Sequence, residues 1–145
     1  MNLSELRLEA ENDLKLNDSN LIKSSMDNGL IIAKWLEYYS TVSADLVQKQ
    51  SELTKIECLL TLYYKGKANG EQLQALNKKP FQLKLTTESD VSKFIKSSNE
   101  YINCLKEVKV IENTIKFIEE VIQNIKFQHL RIQNIINYKK FMNGE

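Results

Sequence analysis

The sequence contains few of the residues that interrupt helices. There is a single proline among 145 residues, Pro80, and there are only four glycines. Sandwiches and barrels need these residues for the many turns between their strands. Their scarcity argues against an all-β fold and predicts an all-α fold of long amphipathic helices.

Residues that bind metals or form disulfides are also scarce. Cys58 and Cys104 are the only cysteines, and His129 is the only histidine. The two cysteines lack the spacing of a zinc site, so we expect reduced thiols. The sequence has no glycine-rich phosphate loop and no nucleophile elbow. An enzyme needs a convergent set of such groups, so we expect no catalysis, no cofactor and no metal.

The sequence also lacks long apolar runs and a large overall charge. Its apolar runs are only a few residues long, too short to cross a bilayer, so no membrane partner is expected. The formal net charge is +1, but residues 1–20 carry −3, residues 63–86 carry +4 and residues 126–145 carry +3. The basic segments are candidate phosphate contacts, and the acidic head is a candidate either to bind a partner or to neutralise them.

Apolar residues recur at helical spacing over most of the chain. We predict a short helix over residues 3–16 and a helix of about forty residues from Leu21, with N-cap candidates at Asn17–Asn20. The β-branched and hydroxyl residues at Ser40–Ser43 predict a kink or short break. Gly66 and Gly70 are predicted to end this helix.

A polar connector with one helical turn follows, and it leads into a short extended segment. Residues 80–86 alternate apolar and polar side chains, which is typical of a strand. A lone strand needs a partner, so this segment either pairs with a copy in another subunit or remains an extended linker. Thr87 or Ser89 can cap the next helix, which is predicted to run from Glu88 to about Lys126.

The C-terminal part of the chain carries a coiled-coil pattern. From Ile111 the apolar positions alternate steps of four and three. The predicted oligomerisation seam consists of Ile111, Ile115, Ile118, Ile122, Ile125, His129, Ile132 and Ile136. Its β-branched residues favour a homo-oligomer larger than a dimer, and the alternative is a monomeric antiparallel bundle that buries the seam within one chain.

Aromatic residues stand beside lysines in the glycine-containing segment Tyr63–Lys84. Lysines neutralise phosphates and aromatic rings stack on unpaired bases, so this composition indicates sequence-neutral binding of single strands. The candidate residues are Tyr63, Tyr64, Lys65, Lys67, Lys78, Lys79, Phe81 and Lys84, with Lys34 and Trp35 as a second group. The alternative is a solvated loop whose aromatic rings belong to the core.

At these residues the chain resembles the UvsY family of phage recombination mediators. The matching motifs, in order, are Lys34-Trp35-Leu36, Tyr63-Tyr64-Lys65-Gly66-Lys67, Lys79-Pro80-Phe81-Gln82-Leu83-Lys84, Asp90-Val91 and Lys140-Phe141, with Gly144 near the end. The resemblance implies a ring-like homo-oligomer, a hexamer or heptamer, that binds single-stranded DNA and has no enzymatic activity. It also implies that the protein helps a RecA-like recombinase of the UvsX type replace the phage single-strand binding protein, in the cytoplasm of the infected bacterial host.

The chain departs from the family pattern at one place. The family has a basic pair shortly before the two tyrosines, where this chain has Cys58 and Leu60. We expect Lys55, Lys65 and Lys67 to supply the positive charge instead. The predicted division is a single-stranded-DNA-binding region over residues 1–86 and an oligomerisation region over residues 87–145. The rival hypothesis is a coiled-coil assembly or adaptor protein with no nucleic-acid role.

Overall fold

The computed structural model of the chain describes residues 1–16, 21–83 and 85–144. These residues form five helices and no strand, which confirms the predicted all-α class. The helices are α1 (Leu3–Asp13), α2 (Leu21–Tyr64), α3 (Gly70–Leu76), α4 (Glu88–Ser97) and α5 (Asn99–Met142).

The chain divides into two compact units. The first unit comprises Met1–Ala44 and Glu112–Glu145, and the second comprises Asp45–Ile111. The first unit therefore contains α1, the beginning of α2 and the end of α5, whereas the second contains α3 and α4. This is a division by compactness, and the functional division at residue 86 stays a prediction.

Helix α2 lacks the kink that was predicted in its middle. The cap candidates Asn17–Asn20 lie outside the described residues. The helix continues without a break through Ser40–Ser43, so the predicted kink is wrong. The hydroxyl of Thr41 donates to the carbonyl of Glu37 one turn earlier, at 3.1 Å. The side chain thus makes its hydrogen bond inside the helix, so it does not compete with the helical backbone.

A glycine and an asparagine define the connector after α2. Gly66 adopts a left-handed φ of 71°, and the Lys67 amide donates back to the Leu62 carbonyl at 2.9 Å. This is a Schellman-type end, as Gly66 predicted. Gly70 does not end a helix but begins α3, because the Asn69 side chain and Gln72 form a capping box there.

The helix predicted from Glu88 is interrupted at Ser98. That residue is extended, with ψ 137°, and its carbonyl accepts from the Ile102 amide at the start of α5. Hydroxyl and amide side chains at positions 97–99 favour caps over helix interiors, which explains the break. The predicted extended segment contains no strand among its described residues, and the Leu85 amide donates to the Tyr64 carbonyl at 3.3 Å.

The first unit buries much of the predicted oligomerisation seam. Ile118, Ile122, Ile125 and Ile132 are 0–7% exposed within the single chain. They lie on the part of α5 that runs antiparallel to α2. There the rings of Trp35 and Phe117 pack edge to face, with their centroids 6.4 Å apart. These four isoleucines are therefore core residues of the subunit, as the bundle alternative predicted.

Candidate functional site

The predicted strand-binding segment folds around the C-terminal end of α2, in the second unit. A small core of Leu60, Tyr64 and Val91 lies beneath it, and Phe81, Leu85 and Tyr63 are among the half-buried side chains packed on that core. The core attaches the loop after α3 to the end of α2. The connector is consequently a loop held on a rigid scaffold, which is the usual setting of binding residues.

The aromatic rings of the connector pack against one another. The centroids of Tyr64 and Phe81 are 5.0 Å apart, those of Tyr63 and Phe81 are 5.3 Å apart, and those of Tyr64 and Phe94 are 5.4 Å apart. Tyr64 is 7% exposed, and its hydroxyl lies 2.8 Å from that of Ser98. Such clusters of tilted and edge-to-face rings stabilise the core beyond their buried area. In this conformation Tyr64 has no open face for a base, while Tyr63 and Phe81 are half-buried.

The lysines of the connector differ in their surroundings. Lys67 and Lys79 are exposed, and Lys65 is half-buried. Lys78 forms an ion pair with Glu100 at 3.1 Å and lies 5.2 Å from the centroid of the Tyr63 ring. Burial is the largest single influence and lowers the pKa of Lys78, but the hydrogen bond and the charge of Glu100, together with smaller contributions from Tyr64 and Tyr63, raise this pKa above its ordinary value. Lys67 and Lys79 are thus the connector lysines most accessible to a phosphate, and Lys84 lies outside the described residues.

The second predicted group, Lys34 and Trp35, is covered by the acidic head. Lys34 forms ion pairs with Glu9 at 2.7 Å and with Asp13 at 2.5 Å. Burial lowers the pKa of Lys34, but hydrogen bonds to these two carboxylates raise it above its ordinary value. Trp35 is fully buried, and its indole N–H donates to Asp13 at 2.9 Å. In this conformation α1 therefore neutralises the group, which was one of the two roles predicted for the acidic head.

The remaining predicted residues lie on helix surfaces or in helix cores. Lys55 is exposed on α2, and His129 is exposed on α5. Ile111, Ile115 and Ile136 are half-buried, unlike the four buried seam residues. The exposed apolar side chains of this part of α5 are instead Phe127, Leu130, Tyr138, Phe141 and Met142. Contact of the seam with a second copy stays a prediction.

Sequence reasoning did not identify the acidic partners of the lysines. Glu100 pairs with Lys78 across 22 positions of sequence, and no local motif indicates such a pair. The acids of α1 could be suspected only from the net charge of the head. Among residues 1–16, 21–83 and 85–144 there is no cluster of three potential metal ligands. None of the helices in that part of the chain is apolar and long enough to span a membrane.

Comparison with known proteins identifies the family. The family model described as "Recombination, repair and ssDNA binding protein UvsY" matches residues 9–145. The chain belongs to the UvsY family. A comparison with curated protein sequences gives no match. Membership in the UvsY family indicates a recombination mediator and agrees with the resemblance stated from the motifs.

Solved structures of a UvsY protein share the fold of this chain. The recombination mediator protein UvsY of bacteriophage T4, in lattice type II, superposes with a TM-score of 0.86 at 16% identity, covering 99% of this chain and 98% of that one. Lattice type IV gives a TM-score of 0.86 at 15% identity, covering 97% of this chain and 99% of that one. Lattice type I gives a TM-score of 0.84 at 15% identity, covering 95% of this chain and 98% of that one. At this identity the likeness establishes the UvsY fold.

Proposed function

We propose that this UvsY-family chain binds single-stranded DNA without sequence preference and helps to load a RecA-like recombinase of the UvsX type. In this proposal the recombinase replaces the phage single-strand binding protein on the strand, in the cytoplasm of the infected bacterial host. The chain acts by binding and assembly, without catalysis or a cofactor. The family match and the basic connector at the end of α2 both support this function.

The observation that carries the proposal is the exposure of Lys67 and Lys79 on an anchored connector. The aromatic core below the loop holds the neighbouring Tyr63 and Phe81, and so anchors the connector that carries these two lysines. Ammonium groups on flexible stems contact phosphates as point charges and do not read base edges bidentately. Only one arginine, Arg131, lies outside the acidic head. Binding is therefore expected to depend on phosphates and to ignore base sequence.

The aromatic residues have two different roles in this proposal. Tyr63 and Phe81 are half-buried, so part of each side chain remains accessible to an unpaired base. Trp35 and Tyr64 are buried, and they belong to the core. A base could stack on these two rings only after the surrounding core rearranged. Lys55 and Lys65 extend the positive surface along the end of α2.

Assembly would multiply the weak contacts of one subunit. We propose a ring-like homo-oligomer, a hexamer or heptamer, in which each copy presents the same connector. Linked copies raise the effective concentration of lysines near the strand, so affinity exceeds that of one subunit by orders of magnitude. Residues 87–145 are proposed as the assembling region, with the exposed apolar side chains of α5 as the surface accessible to another copy.

The test is binding of fluorescent poly-dT at rising salt. The double variant Lys67→Ala with Lys79→Ala should weaken binding. The slope of log K against log salt should become shallower by about 1.4 per bound subunit, because each of the two lost phosphate contacts contributes about 0.7. Sedimentation should show an unchanged oligomer. The matched control is Lys93→Ala with Lys106→Ala, which removes the same charge from exposed positions on α4 and α5.

Two results would contradict the proposal. If the control pair weakens binding as much as the connector pair, binding follows the overall field of the protein and not a contact at the connector. If wild-type protein fails to bind poly-dT at low salt, or binds with no salt dependence, the adaptor hypothesis replaces strand binding.

A further inference from the structure

A cleft in the first unit contains a buried polar group without a partner. It lies between α2 and α5 and has a volume of about 420 Å³. Asn28 lines it at 5% exposure, and the side-chain nitrogen of Asn28 has no hydrogen-bond partner. Leaving a buried amide unpaired is costly, so this nitrogen favours a ligand that supplies an acceptor oxygen.

The position of Asn28 makes this feature unusual. Leu21, Asn28, Trp35 and Val42 are spaced by seven residues along α2, and all four are buried. An apolar residue at position 28 would complete this stripe and remove the unsatisfied group. A buried asparagine can instead fix helix register, but it does so by hydrogen bonding to a partner across the interface. Register therefore does not explain the unpaired nitrogen of Asn28.

The hydrogen-bond donors of the cleft match an anion. Lys126 and His129 of α5 line the cleft, and none of the described residues lining it is acidic. Both side chains can donate hydrogen bonds, as the Asn28 nitrogen does. A cleft lined by three side chains that can donate, with no acidic residue among the described ones, favours a carboxylate or a phosphate.

The surroundings distinguish these two anions. Met26 stands at the rim and is 74% exposed, while Ile22 and Leu30 on the same face of α2 are 74% and 75% exposed. Gly29 leaves the floor open, since a Cβ there would meet nothing within 4 Å. An apolar rim of this kind suits a protein segment better than a nucleic-acid backbone, which is polar and anionic throughout.

The cleft also continues along the two helices. Lys126 also lines a second cleft, of about 400 Å³, together with Glu119 and the exposed Leu36 and Tyr39. Because Glu119 lies in this second cleft, an acidic group of a ligand is expected in the first cleft, beside Asn28 and His129. From Met26 to Tyr39, α2 rises about 20 Å, the length of a helical peptide of about thirteen residues. This groove is too long for a single carboxylate ligand and matches the apolar face of an amphipathic helix.

We propose that this groove binds an acidic amphipathic helix of a partner protein. A glutamate or aspartate of the partner meets Asn28, Lys126 and His129. The partner's apolar residues, at helical spacing, cover Met26, Leu36 and Tyr39. Strand binding at the connector is not required for this interaction, so the two proposals stand or fall separately.

The test uses two synthetic fourteen-residue peptides, each labelled with fluorescein at its N-terminus. Both carry leucines at every fourth position, and one has a glutamate pair where the other has a lysine pair. Fluorescence anisotropy with full-length protein should show the glutamate peptide binding at least tenfold more tightly than the lysine peptide. Lys126→Glu should reverse this preference, whereas the control Lys116→Glu, at an exposed α5 position outside the cleft, should leave it unchanged.

The variant Asn28→Leu gives a second readout that a purely structural asparagine would not give. Removing the unsatisfied group should raise the melting temperature of the protein alone, yet weaken the glutamate peptide several-fold. Gly29→Trp should fill the floor of the cleft and abolish peptide binding.

The proposal is overturned if neither peptide binds, if both bind equally, or if Asn28→Leu lowers the melting temperature. Displacement of the peptide by dT25 would show that the cleft belongs to the DNA path. A smaller mass of Gly29→Trp in sedimentation would show that the occupant is a second copy of this chain. Either result would also overturn the proposal.

Discussion

The buried pair Tyr64 and Ser98 allows a quantitative test of how the connector is anchored. The Ser98 hydroxyl lies 2.7 Å from the Phe94 carbonyl and donates to it, and the Tyr64 hydroxyl lies 2.8 Å from Ser98. Since the single proton of Ser98 is used, Tyr64 must be the donor between the two hydroxyls. Each single substitution therefore leaves a different group behind.

Tyr64→Phe removes one donor, and Ser98 keeps its bond to the Phe94 carbonyl. The expected loss in the free energy of unfolding is about 1 kcal/mol. Ser98→Ala leaves the Tyr64 hydroxyl buried without an acceptor, so the expected loss is larger, about 2 kcal/mol. The double variant replaces both partners by apolar groups, and it should lose about 1 kcal/mol less than the sum of the single losses.

Urea unfolding followed by circular dichroism measures this cycle. With a slope of about 2 kcal/mol per molar urea, Tyr64→Phe should shift the midpoint by about 0.5 M. Protomer concentration must be the same in all four samples, because assembly contributes to apparent stability. Strictly additive losses, or a smaller loss for Ser98→Ala than for Tyr64→Phe, would refute the hydrogen bond and the buried position of Tyr64.

Three further predictions concern other parts of the chain. Lys34→Met should lower the free energy of unfolding by about 1–2 kcal/mol, allowing for the partial exposure of Lys34, because Asp13 loses its ion pair. Amide hydrogen exchange in α1 should accelerate, and an unchanged exchange rate would contradict the role of Lys34. Asn69→Ala should cost about 1 kcal/mol in thermal unfolding by removing the capping box, whereas Asn69→Asp, which keeps an acceptor, should be nearly neutral. Burial raises the pKa of the Cys104 thiol, so its reactive thiolate is depleted at pH 8 and gains population only as the pH rises further. Mass spectrometry should show iodoacetamide modifying the exposed Cys58 well before Cys104 in the native protein, and equal rates would contradict the burial of Cys104.

The two proposed binding surfaces can be distinguished by their response to salt. The connector at the end of α2 is basic and anchored by aromatic rings, and the groove between α2 and α5 is apolar with donors at one end. Salt should weaken strand binding strongly, because many phosphate contacts release counterions. It should weaken the peptide contact less, because buried apolar area contributes most of that interaction.

The amino-acid sequence by itself determined the local features of this protein. The scarcity of proline and glycine predicted long helices, and Gly66 predicted where α2 ends. The charge pattern located the basic connector and the acidic head. These features depend on hydrogen bonds and side-chain spacing within a few residues, so the sequence is sufficient to predict them.

Only the tertiary structure decided which of those residues are buried and which residues they pair with. An apolar stripe on a helix is equally suited to its own chain and to another copy, and here Ile118 and Ile125 are buried within the chain. Lys34 meets Asp13 across 21 positions of sequence, which no local pattern specifies. Tyr64 and Asn28 are both buried, yet the Tyr64 hydroxyl has a hydrogen-bond partner and the side-chain nitrogen of Asn28 has none. Burial and pairing depend on residues brought together from distant parts of the chain, and spacing along one helix does not encode them.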